Sequence, residues 1–580
     1  MKIMDFSVEI SKDGYRVLLI NVDGKKKYLG NKYNQKREIE KFMGKISNMT
    51  EKDNYIIFGL FFGEHIEELL KVSSFKSHIL VVEHNQALID FCKKDKQVQQ
   101  ILNDSRVSLA SDESDIEQFF NQYVNENNVA NLKIEEYCSY YNFYREYVND
   151  KYELIKKEIT RITLNRNTIL KSYDIIFDNF LNNLKYLAMS TPVNELKDKY
   201  KGVPAVIVSA GPSLSKNIDY LKKGGNRLVL SGGRTLRTLI EKEIVPNCVA
   251  SVDFSEVAFK LVDGYLNKFD VPLVISDNTN TKILEEHNGN KFFFSANEFL
   301  NNIWKTDIKE LFGGGSIAHT LTLLAIHMGC NPIVFIGQDL AYTGDRGHDI
   351  LAENTWQKLT FENFYRNNSD IYVEDINGKP VRTSVQLNDY RLSLEKIIKE
   401  NPNTTFINAT EGGANINGAT NKLFKDVIQG FQEGCVEPFN SKSNNVDKTN
   451  EVIRKLQETN KSIKGYIDLC QQGIKISKAW KVNYNTKNVI KLRECEDKLS
   501  KLDKKFNSNL KNVTIINSIL IKVLYDIENN TQFIINPSDS LEVKLNKKID
   551  SIYELYSQMK GAFELSYKKI DNAVNDFNKI

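Results

Sequence analysis

The sequence predicts an α/β protein: a central doubly wound, mostly parallel sheet, a smaller N-terminal α/β domain and an all-helical C-terminal domain. Three observations predict it. Between about residues 200 and 430, short and wholly apolar segments alternate with stretches long enough to hold helices. Strands buried on both faces and joined by helical crossovers have that pattern. Nearer the N-terminus, "NYIIFGLFFGEHIEELLK" and "SHILVVEHNQALIDFCKK" read as strand, Gly turn, helix and strand. Beyond about residue 436 glycine nearly disappears, and apolar residues recur at helical spacing. A chain of 580 residues exceeds a single core. The expected layout is 1–134, a degenerate Rossmann-like domain; 135–192, a helical linker; 193–434, the central domain; and 435–580, the helical domain.

Residues 1 to about 45 read as short strands and turns leading into a charged helix. The βαβ unit that follows carries an acidic residue, Glu83, about 20 positions after its Gly turn, the spacing of a nucleotide site. Its detail argues for a structural role, because Phe61 and Phe62 stand between Gly59 and Gly63 where a ligand needs small residues. A site for adenosylmethionine or a dinucleotide is the alternative. From about 135 to 190 apolar spacings of three and four, without Pro or Gly, predict one long connecting helix or a pair, with Pro192 ending it.

In the central region the expected strands are "AVIVSA", "RLVLSG", "CVASVD", "PLVISD", "KFFFSA", "PIVFIG" and "TTFINA". The C-terminal region holds no motif with obvious chemistry, and its Tyr and Phe residues read as packing.

Composition narrows the function. Lys and Arg (78) nearly cancel Asp and Glu (75), so there is no electrostatic case for nucleic acid. The seven cysteines are scattered, with no C-x-x-C, as expected of reduced thiols in a cytoplasmic protein. Asp5, Glu9 and Asp13 argue against a signal peptide in the first twenty residues, and "YIIFGLFFG" falls short of the roughly 20 residues that span a bilayer.

In open parallel sheets ligands bind at the carboxyl ends of the strands. Those ends read "SAGPSL" (from Ser209), "SGGRT" (from Ser231), "SVDFS" (from Ser251), "SDNTN" (from Ser276), "GQDLAY" (from Gly337) and "NATEGGA" (from Asn408). Glycines there let backbone N–H groups approach an anion, and Ser and Thr add hydroxyls. Ser213 is also placed to cap a helix. No G-x-x-x-x-G-K-[ST] occurs, which disfavours ATP bound in P-loop fashion, and no D-x-D follows these strands. Asp253 and Asp339 stand alone.

Four ordered blocks, "PAVIVSAGPSLSKNIDYLK", "VPNCVASVDFS", "GGGSIAHTLTLLAIHMGCNPIVFIGQDLAYTGDRGH" and "NATEGGANINGA", resemble the motility-associated factor (Maf) family of bacterial flagellin glycosyltransferases, over about Tyr200 to Lys425. The central domain of that family is similar to bacterial sialyltransferases, which carry a comparable "GPSL". The resemblance implies transfer of a nonulosonic acid, pseudaminic or legionaminic acid, from its CMP-activated form to Ser or Thr of flagellin, in support of flagellum assembly and motility. It implies no cofactor and no metal.

CMP leaves as a stabilised anion, so the site needs charge stabilisation and a base for the acceptor hydroxyl. The amides of Gly211, Gly314 and Gly315 and the hydroxyls of Ser213 and Ser316 are the expected phosphate and carboxylate contacts. Pro212, Ser231, Gly232, Gln338, Glu411 and Gly412 complete the expected nucleotide-sugar site, with Arg346 offsetting the sugar carboxylate. Tyr342 is placed to donate to the departing phosphate. His348, in a polar loop where an imidazole titrates near neutral pH, is the expected base, with Asp253 and Asp339 as alternatives. His319 and His327 read as packing histidines. Two other readings stand beside this one: an ATP-dependent hydroxymethylpterin pyrophosphokinase, in which a related domain occurs, and a non-catalytic flagellin chaperone.

Overall fold

A computed structural model of the chain describes residues 6–22, 25–46, 49–50, 53–223, 225–268, 270–344, 346–352, 371–437, 439, 447–508, 510–535 and 539–577. The chain divides into two compact units, Met1–Tyr173 with Leu520–Leu555, and Asp174–Ile519 with Tyr556–Ile580.

In the first unit, β1 (Phe6–Ile10), β2 (Arg16–Val22) and β3 (Lys25–Leu29) form an antiparallel meander. The strands β4 (Asn54–Phe58), β5 (Ile79–Val82), β6 (Val107–Ala110) and β7 (Leu132–Glu136) form a wholly parallel sheet in the order β6-β5-β4-β7. That is the order of half a Rossmann fold. Its ligand position is filled by protein. Phe61 and Phe62 are buried, and Phe61 packs edge-on to Tyr137 at 4.8 Å between ring centroids. Glu83 accepts from the amides of Leu60 (3.0 Å) and Asn85 (2.9 Å) and from the Tyr140 hydroxyl (2.9 Å), so its carboxylate is turned inward.

The helix Arg145–Leu187 is one element of 43 residues. It stops short of Pro192, which instead pairs with Phe293 in the two-residue strand β8 (Thr191–Pro192). An edge strand tolerates a proline because one side of its ladder stays open.

The second unit is organised by nine parallel strands. Beside β8 they are β9 (Ala205–Val208), β10 (Leu228–Gly232), β11 (Cys248–Ser251), β12 (Leu273–Ser276), β13 (Lys291–Phe294), β14 (Ile333–Ile336), β17 (Phe406–Asn408) and β18 (Thr420–Asn421). Between β14 and β17 the chain makes a separate hairpin, β15 (Ile371–Glu374) with β16 (Pro380–Thr383). All seven strands read from the sequence are present, and the two-residue strands β8 and β18 are additions at the edges. The sheet order is β18-β17-β14-β9-β10-β11-β12-β13-β8.

The apolar runs are explained by burial on both faces. Ala205 and Ile207 of β9 pack with Leu321 and Leu324 of the helix Ile317–His327, while Val206 and Val208 pack on the opposite side with Leu214, Ile218 and Leu239. Each such Val, Leu or Ile contributes about 1.5–3 kcal/mol when fully buried.

The sheet order also fixes where a ligand can bind. The chain runs β9 to β13 outward on one side, then returns to place β14 on the other side of β9. The switch point therefore lies between β9 and β14, where the helices depart to opposite faces and leave a crevice. Register brings the strand ends level there, since Val208 is paired with both Ile336 and Ser231.

The C-terminal helices of this unit pack through aromatic rings, as their spacing predicted. Tyr466 lies 4.8 Å from Phe506 and 5.0 Å from Phe563 between ring centroids, and its hydroxyl donates to the Phe506 carbonyl. Among the described residues no helix is long and apolar enough to cross a membrane.

Candidate active site

At the switch point a cavity of about 160 Å³ is lined by Gly211, Gly232, Arg234, Ser316, Asp339 and His348, with Gln338, Leu387 and Tyr390 among its walls. A larger hollow of about 420 Å³ lies in the first unit against Gln532, Phe533, Val543 and Lys547. The smaller one is the better candidate, because strand ends and their glycines converge on it together with Asp339 and His348.

The two loops that build the cavity are drawn together by glycines. Gly337 follows β14 at φ +61°, and a Cβ there would sit 2.1 Å from the Ser209 carbonyl oxygen. A Cβ at Gly211 would sit 2.1 Å from Asp339 Oδ2. Gly211 donates its amide to the Gly337 carbonyl at 2.7 Å, so these glycines first allow chain to approach chain. Asp339 is thereby held under the loop that follows β9. It accepts from the Ser213 hydroxyl (2.8 Å) and from the Ser213 amide (3.2 Å), and Gly412 closes over it from the loop after β17. Burial pushes the Asp339 carboxyl up to about 6, against the pull of its Ser213 bonds. Ser213 makes no side-chain cap, because its hydroxyl is committed to Asp339.

His348 reaches the cavity from the loop after β14 and is half-buried. Burial, and then the charge of Arg234, push its imidazole down to about 4, partly offset by a hydrogen bond with the backbone of Ala210. The expectation of titration near neutrality is thus corrected: His348 is neutral at physiological pH. Its neighbour Asp349 accepts from the Ser215 amide at 2.9 Å and donates its own amide to Ala210, which ties the histidine loop to the loop after β9.

The remaining predicted residues divide. Ser316 caps the helix Ile317–His327 in a capping box with His319, whose other ring nitrogen meets the Tyr390 carbonyl at 2.9 Å. His319 and His327 are packing residues, the latter against the Val193 carbonyl. Gly314 and Gly315 lie against His319 and Tyr390, one wall removed from the cavity. Ser231 is fully buried and bonded to Thr235 at 2.7 Å. Pro212 lies on the half-buried turn before Ser213. Glu411 accepts from the Phe424 amide and offers its carbonyl to Lys216. Tyr342 is buried beneath Arg382, whose guanidinium sits 5.0 Å from its ring centroid, and it does not line the cavity. Arg346 is exposed, bridged through its backbone to Thr343, and outside the lining as well. Asp345, between them in sequence, lies outside the described residues.

Asp253 is exposed and accepts from the Ser255 amide at 2.8 Å. The ends of β11 and β12 do not join the cavity because the helix Arg145–Leu187 covers them. Asn179 donates to the Phe254 carbonyl (3.0 Å), and Asn183 to those of Asp277 (3.1 Å) and Thr279 (2.7 Å). Six strand ends were expected to pool; those of β9, β10 and β14 line the cavity, and the end of β17 comes near it only through Gly412 beside Asp339.

Sequence reasoning missed Arg234, Thr235 and Tyr390 in the lining. The signal for Arg234 was present in "SGGRT": a cation one residue into a helix that leaves the strand beside the switch point. Among the described residues no group of three His, Cys, Asp or Glu side chains is placed to hold a metal ion.

Fold and site together define an open parallel α/β protein with a Gly-bounded crevice at its topological switch point, mostly apolar but carrying Arg234, Asp339 and His348. Comparison bears on the fold. A family model described as MptE-like, 6-hydroxymethylpterin diphosphokinase MptE-like, matches residues 178–345, less than a third of the chain. The curated proteins hold no match. Among solved structures, a MAf glycosyltransferase from Magnetospirillum magneticum AMB-1 is similar over 99% of this chain and 93% of that one, at 12% identity and a TM-score of 0.52. At that identity the likeness establishes a shared fold, and it agrees with the family resemblance carried by the four sequence blocks.

Proposed function

We propose that this protein is a glycosyltransferase that moves a nonulosonic acid from its CMP-activated form to Ser or Thr hydroxyls of flagellin. The observation that carries this reading is the cavity itself, where the neutral imidazole of His348, the cation of Arg234 and the hydroxyl of Ser316 line one switch-point crevice. The shared fold with a solved glycosyltransferase supports the reaction class. The four sequence blocks support the donor and the acceptor.

In the reaction, the acceptor oxygen forms a bond to the anomeric carbon while the bond from that carbon to the phosphate oxygen of CMP breaks. His348 takes the hydroxyl proton, and the electron pair of the broken bond leaves on CMP. A general base of this kind contributes about 10²–10⁴ in rate. Charge growing on the leaving phosphate is met by fixed donors, which are worth most where water is excluded. A cavity of about 160 Å³ admits one ring with its anionic group, so the rest of the donor extends outward, as pockets for whole ligands run to roughly 300–1,000 Å³.

Incubation of the protein with flagellin and a CMP-activated nonulosonic acid tests this. The expected result is release of CMP with a mass increase on flagellin. No CMP release, together with AMP formation from ATP and a hydroxymethylpterin, would transfer the chain to the pyrophosphokinase reading.

A further inference from the structure

We propose that Arg234 anchors the anionic group of the donor, phosphate or carboxylate, inside the switch-point cavity, an inference that rests on the donor-site reading above. Much of the lining is apolar, since Val208, Ala210, Ile317, Leu340 and Leu387 offer no charge, and the carboxylate of Asp339 accepts from Ser213. Among the described lining residues Arg234 is the one guanidinium or ammonium group. A guanidinium is the side chain whose planar fork matches the two oxygens of a phosphate or carboxylate. Its position is fixed from below, since it occupies the first turn of the helix Gly233–Glu241, directly after β10. Arg346, expected in this role from the sequence, is exposed and outside the cavity.

The placement also links binding to chemistry. Arg234 is close enough to His348 for its charge to disfavour the imidazolium. An anion on Arg234 offsets that charge, so occupancy of the site makes His348 a stronger base when the donor is in place. Where no anion offsets the charge of Arg234, the base is held weak.

Calorimetry with cytidine, CMP, CMP-N-acetylneuraminate, free N-acetylneuraminate and pyrophosphate tests the anchor in wild type, Arg234→Gln and Arg234→Lys. Loss of a charge-assisted bond predicts binding of the anionic probes weakened about 10- to 100-fold in Arg234→Gln and partly restored in Arg234→Lys, with cytidine unchanged. Loss for CMP as large as for the CMP-sugar assigns the phosphate; loss confined to the two sialic-acid probes assigns the carboxylate. Unchanged binding of every probe by Arg234→Gln overturns the anchor and leaves the donor site standing. Wild type that binds pyrophosphate but neither CMP nor its sugar overturns the donor reading, and the anchor then holds only if Arg234→Gln loses pyrophosphate. Wild type that binds no anion overturns both. A titration of the His348 ring by NMR is the second readout, and its midpoint rises in Arg234→Gln and on anion binding to wild type; a static midpoint removes the link to the base. Matching melting temperatures show that the variants are folded.

Discussion

His348 and Asp339 show how burial reassigns chemistry that residue type alone suggests. An imidazole on a polar loop is expected to titrate near 6.5 and a carboxyl near 3.9. Here burial moves the histidine down to about 4 and the aspartate up to about 6, so their order is reversed. The reversal makes the base identifiable. Because kcat/KM reports groups of the free enzyme, His348 as base predicts activity that holds to about pH 5 and falls through pH 4. The sign follows from the charge: the imidazole is active when neutral, and it protonates only as pH drops through its lowered value. A fall centred near pH 6 instead, abolished in Asp339→Asn, would make Asp339 the base. Separately, His348→Ala is expected to lower kcat about 10²- to 10⁴-fold with KM little changed, measured as CMP release from saturating donor. A KM effect without a kcat effect would make His348 a binding residue. These placements were illegible in the sequence, because desolvation depends on neighbours such as Arg234, far away in chain order.

Among the elements, the strand-end loops are held at a separation that only hydrogen atoms permit. Gly337 and Gly202 both have positive φ, +61° and +76°, but only the first meets a neighbour. Gly202→Ala therefore incurs the left-handed backbone cost alone, about 1–2 kcal/mol. Gly337→Ala adds collision with the Ser209 carbonyl and should cost roughly 3–5 kcal/mol in denaturant unfolding, with loss of CMP release. Equal costs would mean that loop approach does not shape the site. The strands themselves were legible, because burial on both faces writes an uninterrupted apolar run into each. The two-residue strands β8 and β18 were not, since two residues carry no pattern, and Pro192 was read as a helix stop when it is an edge-strand residue.

At the scale of the whole molecule, two parallel α/β sheets repeat one layout with opposite outcomes. In the first unit Phe61, Tyr137 and Tyr140 occupy the space after the leading strand, and Glu83 is consumed by Leu60, Asn85 and Tyr140. In the second unit the corresponding edge is open and lined by Arg234, Ser316 and His348. Calorimetry is accordingly expected to give no heat for adenosylmethionine with the intact protein, while CMP binds; heat from adenosylmethionine would reopen the first sheet as a site.

The sequence by itself determined the longer strands of the central sheet and collected Gly, Ser and Asp at their carboxyl ends. A parallel strand must be apolar along its length, and connections that always return to the same edge collect Gly, Ser and Asp there. Tertiary structure alone decided which strand ends meet. Strand order is set by pairing between segments far apart in the chain, and it brings β10, β9, β14 and β17 together around Asp339, with Arg234 and His348 in the cavity wall. It leaves Asp253 exposed at the end of β11, outside the cavity, beside loops that Asn179 and Asn183 tie down. Local pattern records what each residue must bury, while the partner that buries it, and the shift in charge that results, exist only once the chain has folded.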